Sequence, residues 1–294
     1  MFKYCMYKFA HCLVNRLSLQ TSYQLGIILS DLHYLFSFRD RRAVCRNLKK
    51  IMPGVENVQG MTREVFRNFG KYLVEFLRME QMIDKDFIAR KIKIENSGSV
   101  QQALKAGKGG IVVTAHIGNW ELGAVLLSVL GYPIMAVALP HKERPVNDLF
   151  NHQREFKGIT VVPTHNAIRK CMEHLKGNKI IAIVADRDFT VKGGELMDFF
   201  GVKALIPKGA AMFSQKTGAP ILPTFLIRDP DDTFRLSILE PMFPPAEEEG
   251  IPEEEAVREI MRRYLAVIEA QIRRYPTQWL LFRDFAVSPE SKKE

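Results

Sequence analysis

From Lys91 onward the chain alternates short runs rich in β-branched residues with helical stretches, and few architectures accept that pattern. The runs are Lys91–Ile94, Ile111–Thr114, Pro133–Ala138, Thr160–Val162, Ile180–Val184, Ile221–Ile227 and Phe234–Ile238. Helical stretches separate most of them, for example Glu121–Leu130, Asp148–Phe156 and Ala167–Leu175. A helix between two strands lets the second strand return in the direction of the first. The expected fold class is therefore α/β, a largely parallel central sheet flanked by helices.

The part before Lys91 has a different texture. From Leu17 to Gln81 the pattern is helical, with Tyr23, Leu25, Ile27, Ile28, Leu32, Leu35 and Phe36 on one broad apolar face. Arg41 to Ile51 reads as a second helix, ended by Pro53-Gly54. Thr62 to Gln81 reads as a third, with Thr62 at its N-cap. Pro252 to Tyr275 closes the chain as an amphipathic helix, and the tail after Ser288 is polar. The expected organisation is a helical segment over 1–90 and an α/β unit over 91–294, together forming one structural unit.

Charge and cysteine usage narrow the function classes. A net charge of +9 suits polyanionic partners, among them nucleic acid, anionic headgroups and acidic carrier proteins. No nucleic-acid module is recognisable, so no nucleic-acid partner is expected. Cys5, Cys12, Cys45 and Cys171 show no C-x-x-C spacing and no nearby histidine cluster. That predicts neither a metal site nor a disulfide framework, and it fits a reducing compartment.

Met1 to Phe38 mixes aromatic and apolar residues with Lys3, Lys8, His11, Arg16 and Asp31. No uncharged apolar run reaches the roughly 18 residues a spanning helix needs. There is no compact apolar run ending in an A-x-A-like site, so no secretory signal is expected. Two readings remain: a helix lying in a membrane interface, or one packed on the domain's own core.

The segment Ile111-Val-Val-Thr-Ala-His-Ile-Gly-Asn-Trp-Glu-Leu-Gly123 carries the chemistry. An apolar strand ends at Thr114, Gly118 permits a sharp turn, and Asn119 is suited to cap the helix that follows. His116 then lies just past a strand's C-terminal end, where α/β sheets place ligand sites. The five-residue offset lets Glu121 fold back and accept from one imidazole N–H. That would fix the tautomer and leave the other nitrogen to take a proton. An alcohol is a poor nucleophile until its proton is leaving, so a positioned base suits transfer to a hydroxyl. No serine or cysteine neighbours the pair, so direct attack by the acceptor is the simpler scheme. The alternative is a structural histidine capping a loop.

Thr114-Ala-His-Ile-Gly-Asn-Trp-Glu-Leu-Gly123 closely resembles the first motif of the lipid A biosynthesis (lauroyl/myristoyl) acyltransferase family. That family includes phosphatidylinositol mannoside acyltransferases and lies within the lysophospholipid acyltransferase superfamily. The resemblance continues in order along most of the chain. Arg42, Asn47, Leu48 and Pro53 match an N-terminal signature, and Arg154 with Gly158 an R-x-x-x-G element. Asp186-Arg187-Asp188-Phe189, Phe199-Phe200-Gly201, Pro207-Lys208-Gly209 and Thr217-Gly218-Ala219-Pro220 match later blocks.

The resemblance implies His116 as general base and Glu121 as its orienting carboxylate. It makes Asn119, Arg154, Asp186, Arg187, Asp188, Lys208 and Gly209 candidate substrate contacts. The Asp186 to Asp188 block has a salt-bridged turn as its alternative, and Lys208-Gly209 the start of a helix. It further implies an acyl-ACP or acyl-CoA donor, a glycolipid or lysolipid acceptor, no cofactor and no metal. The implied place is an anionic membrane surface at the cytoplasmic face of a bacterial inner membrane. Leu139 stands where lipid A acyltransferases often carry the arginine of a Tyr-Arg-Pro element. Arg154, Arg187 and backbone N–H groups are the candidates to replace it. The Asp186-Arg187-Asp188-Phe189 text fits the mannoside branch as well as the lipid A branch. A lipid thioesterase using the same pair, and a silent binding protein on this scaffold, are the alternatives from other classes.

Overall fold

The computed structural model describes residues 2–187, 194–246 and 250–287. It opens with helices α1 (Phe2–Arg16), α2 (Leu19–Phe36), α3 (Phe38–Ile51), α4 (Val58–Met82) and α5 (Lys85–Lys91). Strand and helix then alternate through β1 (Ile92–Glu95), α6 (Gly98–Leu104), β2 (Gly110–Thr114), α7 (Trp120–Val129), β3 (Ile134–Ala138), α8 (Arg144–Glu155), β4 (Thr160–Pro163), α9 (Ala167–Lys176) and β5 (Ile180–Val184). A hairpin of β6 (Gly194–Phe199) and β7 (Val202–Pro207) follows, then α10 (Gly209–Thr217), β8 (Ile221–Arg228), β9 (Phe234–Ile238) and α11 (Glu253–Arg274).

The seven-stranded sheet has the order β1-β9-β8-β2-β5-β3-β4. β8 and β9 pair antiparallel, and the other neighbours are parallel. This is the expected α/β architecture. β2 lies inside the sheet and is buried along its length, so its side chains feed both faces. Ile111 and Val113 join a core with α9, α10 and α11, while Val112 joins one with α6, α7 and α8. α4 contributes Val65, Phe66 and Tyr72 to the first and Val74, Phe76 and Met79 to the second. The helical segment is thereby tied to the sheet by apolar burial rather than by a linker.

Three details depart from the sequence reading. α4 starts at Val58 with Asn57 as its cap, the side chain accepting from Gly60 N at 3.0 Å. Thr62 is buried one turn inside, its hydroxyl donating to the Val58 carbonyl at 2.7 Å, a bond that lets a β-branched polar residue sit within a helix. The β6–β7 hairpin has no counterpart among the expected strands. Its two-residue turn is Phe200-Gly201, both with positive φ, where Asn-Gly or Asp-Gly is the usual signal.

The third departure concerns α2. Its inner face is Ser22, Tyr23, Gly26 and Ser30, and most of the large apolar residues point outward. A Cβ on Gly70 of α4 would lie 2.5 Å from the Gly26 carbonyl oxygen and 2.2 Å from Ser30 Oγ. The two backbones approach so closely that only small residues fit between them. Ile28, Leu29, Leu32, Leu35 and Phe36 are left exposed, Phe36 by 77%. Among the described residues no helix is long and apolar enough to cross a membrane.

Candidate active site

The parallel register of β2 and β5 builds the site. Val113 pairs with Ile183 and Thr114 with Val184, and the ladder ends with Ala185 N donating to the Thr114 carbonyl at 2.8 Å. His116 and Asp186 each lie two residues past a paired position, so the sheet delivers them side by side. Asp186 Oδ1 stands 2.6 Å from His116 Nδ1. Its Oδ2 accepts the His116 backbone N–H at 3.1 Å and the Trp279 indole N–H at 2.8 Å. Leu280 N donates to the His116 carbonyl at 2.7 Å, which pins the chain after α11 against the histidine.

Asp186 is fully buried, and burial alone would push its carboxyl pKa up. His116 outweighs that by charge and hydrogen bond, with Arg187 and the Trp279 N–H adding to it, and the pKa is brought down to about 2. An ionised carboxylate can only accept, so Nδ1 of His116 carries a proton. In the neutral imidazole Nε2 is then the acceptor nitrogen.

This geometry corrects the pairing inferred from spacing. The carboxylate on Nδ1 is Asp186, reached across 70 residues, whereas Glu121 in the first turn of α7 is gripped by Arg154 of α8. Arg154 Nε and Nη2 donate to the two Glu121 oxygens at 2.8 and 2.6 Å, a bidentate pair with both side chains nearly buried. Burial opposes the Arg154 charge, but Glu121 overcomes it and holds the arginine's pKa above its ordinary value. Trp120 lies between the two arrangements. Its ring stacks on Tyr72 at 4.5 Å and meets the His116 ring edge-on at 4.9 Å.

The loop beneath is built to a narrow tolerance. Gly118 has φ +60°, and a Cβ there would lie 2.0 Å from the Leu226 carbonyl oxygen. Asn119 belongs to the same framework. It is buried, its Oδ1 accepts from Leu122 N at 3.0 Å to cap α7, and its Nδ2 donates to Glu75 Oε2 at 2.6 Å. Both ends of the amide are engaged by the fold, so Asn119 helps to position the His116 loop. Glu75 itself is fully buried, held also by the Tyr23 hydroxyl at 2.8 Å and by Arg228 Nε and Nη2 at 2.8 and 2.5 Å.

Arg187 follows Asp186 and is partly buried, its pKa lowered by burial against the pull of Asp186, with Arg283 lowering it further. Lys208 is the cap residue of α10 and Gly209 its first residue, with Met212 N donating to the Lys208 carbonyl at 2.9 Å. Asp188 lies outside the described residues.

A model of the bacterial lipid A biosynthesis acyltransferases matches residues 6–284. The chain belongs to that family. Among its relatives are phosphatidylinositol mannoside acyltransferases. One, from Mycolicibacterium smegmatis, is 28% identical over 184 residues, covering 60% of this chain and 60% of its own. Another, from Mycobacterium tuberculosis, is 31% identical over 163 residues, covering 53% and 51%. A lipid A biosynthesis acyltransferase from Haemophilus influenzae is 26% identical over 129 residues, covering 43% and 40%. The chain thus spans no more than three fifths of the length of these relatives.

Trp279 was not among the residues that motif spacing singles out, because its partner lies 93 positions away. One signal was present in the sequence. The chain has two tryptophans, and both lie beside the histidine–carboxylate pair.

Proposed function

We propose that this chain is an acyltransferase moving a fatty acyl group from an acyl thioester, acyl-ACP or acyl-CoA, to a sugar hydroxyl of a membrane glycolipid. The observation that carries the reading is His116 held through Nδ1 by a buried, ionised Asp186 at the C-terminal end of the central strand. His116 Nε2 takes the hydroxyl proton as the oxygen attacks the thioester carbonyl carbon. The tetrahedral intermediate then expels the thiolate, which takes the proton back from the imidazolium. Asp186 stabilises that transient cation without being protonated itself. Arg154, through its pair with Glu121, and Arg187 are the cations to stabilise the developing oxyanion or to place the acceptor.

Family membership supports a lipid A precursor as acceptor. The relatives that act on phosphatidylinositol mannoside favour a second reading, a mannoside acceptor. Both acceptors are glycolipids, which supports the further proposal that the enzyme works at an anionic membrane surface, on the cytoplasmic face of a bacterial inner membrane. Thioester release measured with and without each acceptor tests the reading. Acceptor-dependent release, abolished in His116→Ala, is expected. Equal release without acceptor indicates a thioesterase, and no release from any donor defeats the enzymatic reading. Mass spectrometry of lipids from cells lacking the chain names the acceptor.

A further inference from the structure

We propose that the cleft bounded by the end of α2, the outer side of α3 and the start of α4 binds the phosphate of an anionic phospholipid headgroup and so seats the chain on the bilayer. The proposal rests on the acyltransferase reading only for the presence of a bilayer. The cleft measures about 510 Å³ and is lined by Tyr34, Arg41, Arg42, Cys45, Arg46 and Gln59. α3 carries Arg39, Arg41, Arg42, Arg46, Lys49 and Lys50 against one acid, Asp40.

Three neighbouring carboxylates are committed elsewhere. Asp31 is shared by Arg63 and Arg67, Asp40 faces His33 at 3.1 Å, and Asp284 is shared by Arg46 and Lys50. Among the described residues no carboxylate pairs with Arg41 or Arg42. Arg41 packs its guanidinium over the rings of Tyr34 and Phe38, at 5.3 and 4.9 Å, instead of over an acid. A stacked guanidinium keeps its N–H edge available in a fixed plane, which suits bidentate contact with phosphate.

The same stretch of chain explains why the phosphate belongs to a lipid. Leu32, Leu35 and Phe36 precede the cleft's α2 wall or follow Tyr34 directly, and Phe38 opens α3; all four are exposed. An acidic protein would satisfy the arginines and leave this apolar row in water. A phospholipid supplies both groups in one molecule: phosphate in the cleft and acyl chains against the row.

The test compares the full chain with Arg41→Gln/Arg42→Gln and with a control, Lys105→Gln/Lys108→Gln, which removes the same charge just ahead of β2, at the far end of that strand from His116. Each protein is sedimented with vesicles of phosphatidylcholine alone or with one quarter phosphatidylglycerol. Replacing a basic residue at such a surface weakens partitioning about fivefold. The arginine double variant should therefore lose roughly 25-fold on the mixed vesicles, against little loss in the control. Alkylation of Cys45, read by peptide mass spectrometry, should slow with mixed vesicles in the wild type and not in the arginine variant. Acyl transfer between detergent-dispersed substrates should be equal in all three proteins, which separates failure of this site from failure of the enzymatic reading. Equal vesicle binding by wild type and arginine variant overturns the proposal, as does an equal loss in the control. Protection of Cys45 by millimolar inorganic phosphate alone points to a free-phosphate site and overturns it. Loss of binding to an acidic carrier protein with vesicle binding kept overturns it too.

Discussion

Asp186 accepts from His116 twice, from the ring Nδ1 at 2.6 Å and from the backbone N–H at 3.1 Å, so one carboxylate fixes both the imidazole and the main chain that carries it. With the Trp279 indole, three N–H donors converge on two oxygens. Asparagine at this position offers one oxygen and turns an NH₂ toward donors that need an acceptor. Asp186→Asn should therefore cost about 10²–10⁴-fold in kcat, comparable to losing a positioned base, because the wrong tautomer is stabilised. Trp279→Phe keeps the ring and removes one donor, so its loss should be smaller, with a shifted pH profile. Steady-state thioester release over pH measures both. Wild-type turnover in purified Asp186→Asn would remove Asp186 from the mechanism.

The same carboxylate predicts a pH effect on stability. Its pKa in the fold, about 2, lies below the ordinary 3.8, so its stabilising contribution is complete above the ordinary value. That contribution is lost as pH falls through about 4 toward 2. Asp186→Asn has nothing to titrate there. Its melting temperature should be lower than wild type near neutrality and should fall less steeply across that acid range. Parallel thermal curves for the two proteins would show that Asp186 is not stabilised as an anion.

Most of the sheet was legible because its strands are short runs rich in β-branched residues, most of them separated by helices, and the position of His116 followed from the end of β2. Its partner was not. Glu121 is near His116 in sequence, but parallel pairing brings residues 70 apart together at matching strand ends, a relation that the local text does not contain. The β6–β7 hairpin was hidden because its turn uses Phe200 at φ +53°. Which side of α2 faces the protein was left open for a different reason. Hydrophobicity marks which side avoids water, and it does not say whether the cover is protein; here Gly26 and the two serines face α4.

Gly118 tests how far the His116 loop can give. A methyl group there meets backbone, the Leu226 carbonyl oxygen at 2.0 Å, and φ +60° already disfavours any L side chain. Relief requires moving β8 or the loop, at a cost on the order of 1–3 kcal/mol for each source of strain. Gly118→Ala should lower the melting temperature by several degrees and reduce kcat together. An active, equally stable Gly118→Ala protein would mean that the loop has slack.

Glu121 and Arg154 separate charge balance from chemistry. Removing either one strands a nearly buried charge, at a cost of about 3–5 kcal/mol. Glu121→Leu and Arg154→Leu should each destabilise the fold, and the double variant should recover much of that loss. If Arg154 also acts on the oxyanion or the acceptor, the recovered double variant stays inactive. Activity returning with stability would make the pair purely structural.

The outer face of α2 gives the last prediction. Truncating the first 38 residues is a poor test, because Tyr23, Gly26 and Ser30 pack inward and their removal would expose α4. Substitution on the outer face avoids this. Ile28, Leu32 and Phe36 are exposed and recur one turn apart on one side of the helix. Full burial of such a side chain in an apolar phase is worth about 1.5–3 kcal/mol. Replacing all three with Gln should leave the melting temperature within a few degrees, since each side chain is already exposed to water. It should reduce partitioning to vesicles by at least about a hundredfold. The apolar contribution should survive high salt, whereas attraction of Lys3, Lys8 and Arg16 to anionic headgroups is screened within a Debye length, about 10 Å at 0.1 M. Wild type should therefore release only partly in high salt and the triple variant completely. A triple variant that melts much lower yet binds vesicles as well as wild type would show that this face is covered by the protein itself, and membrane docking would have to be sought elsewhere.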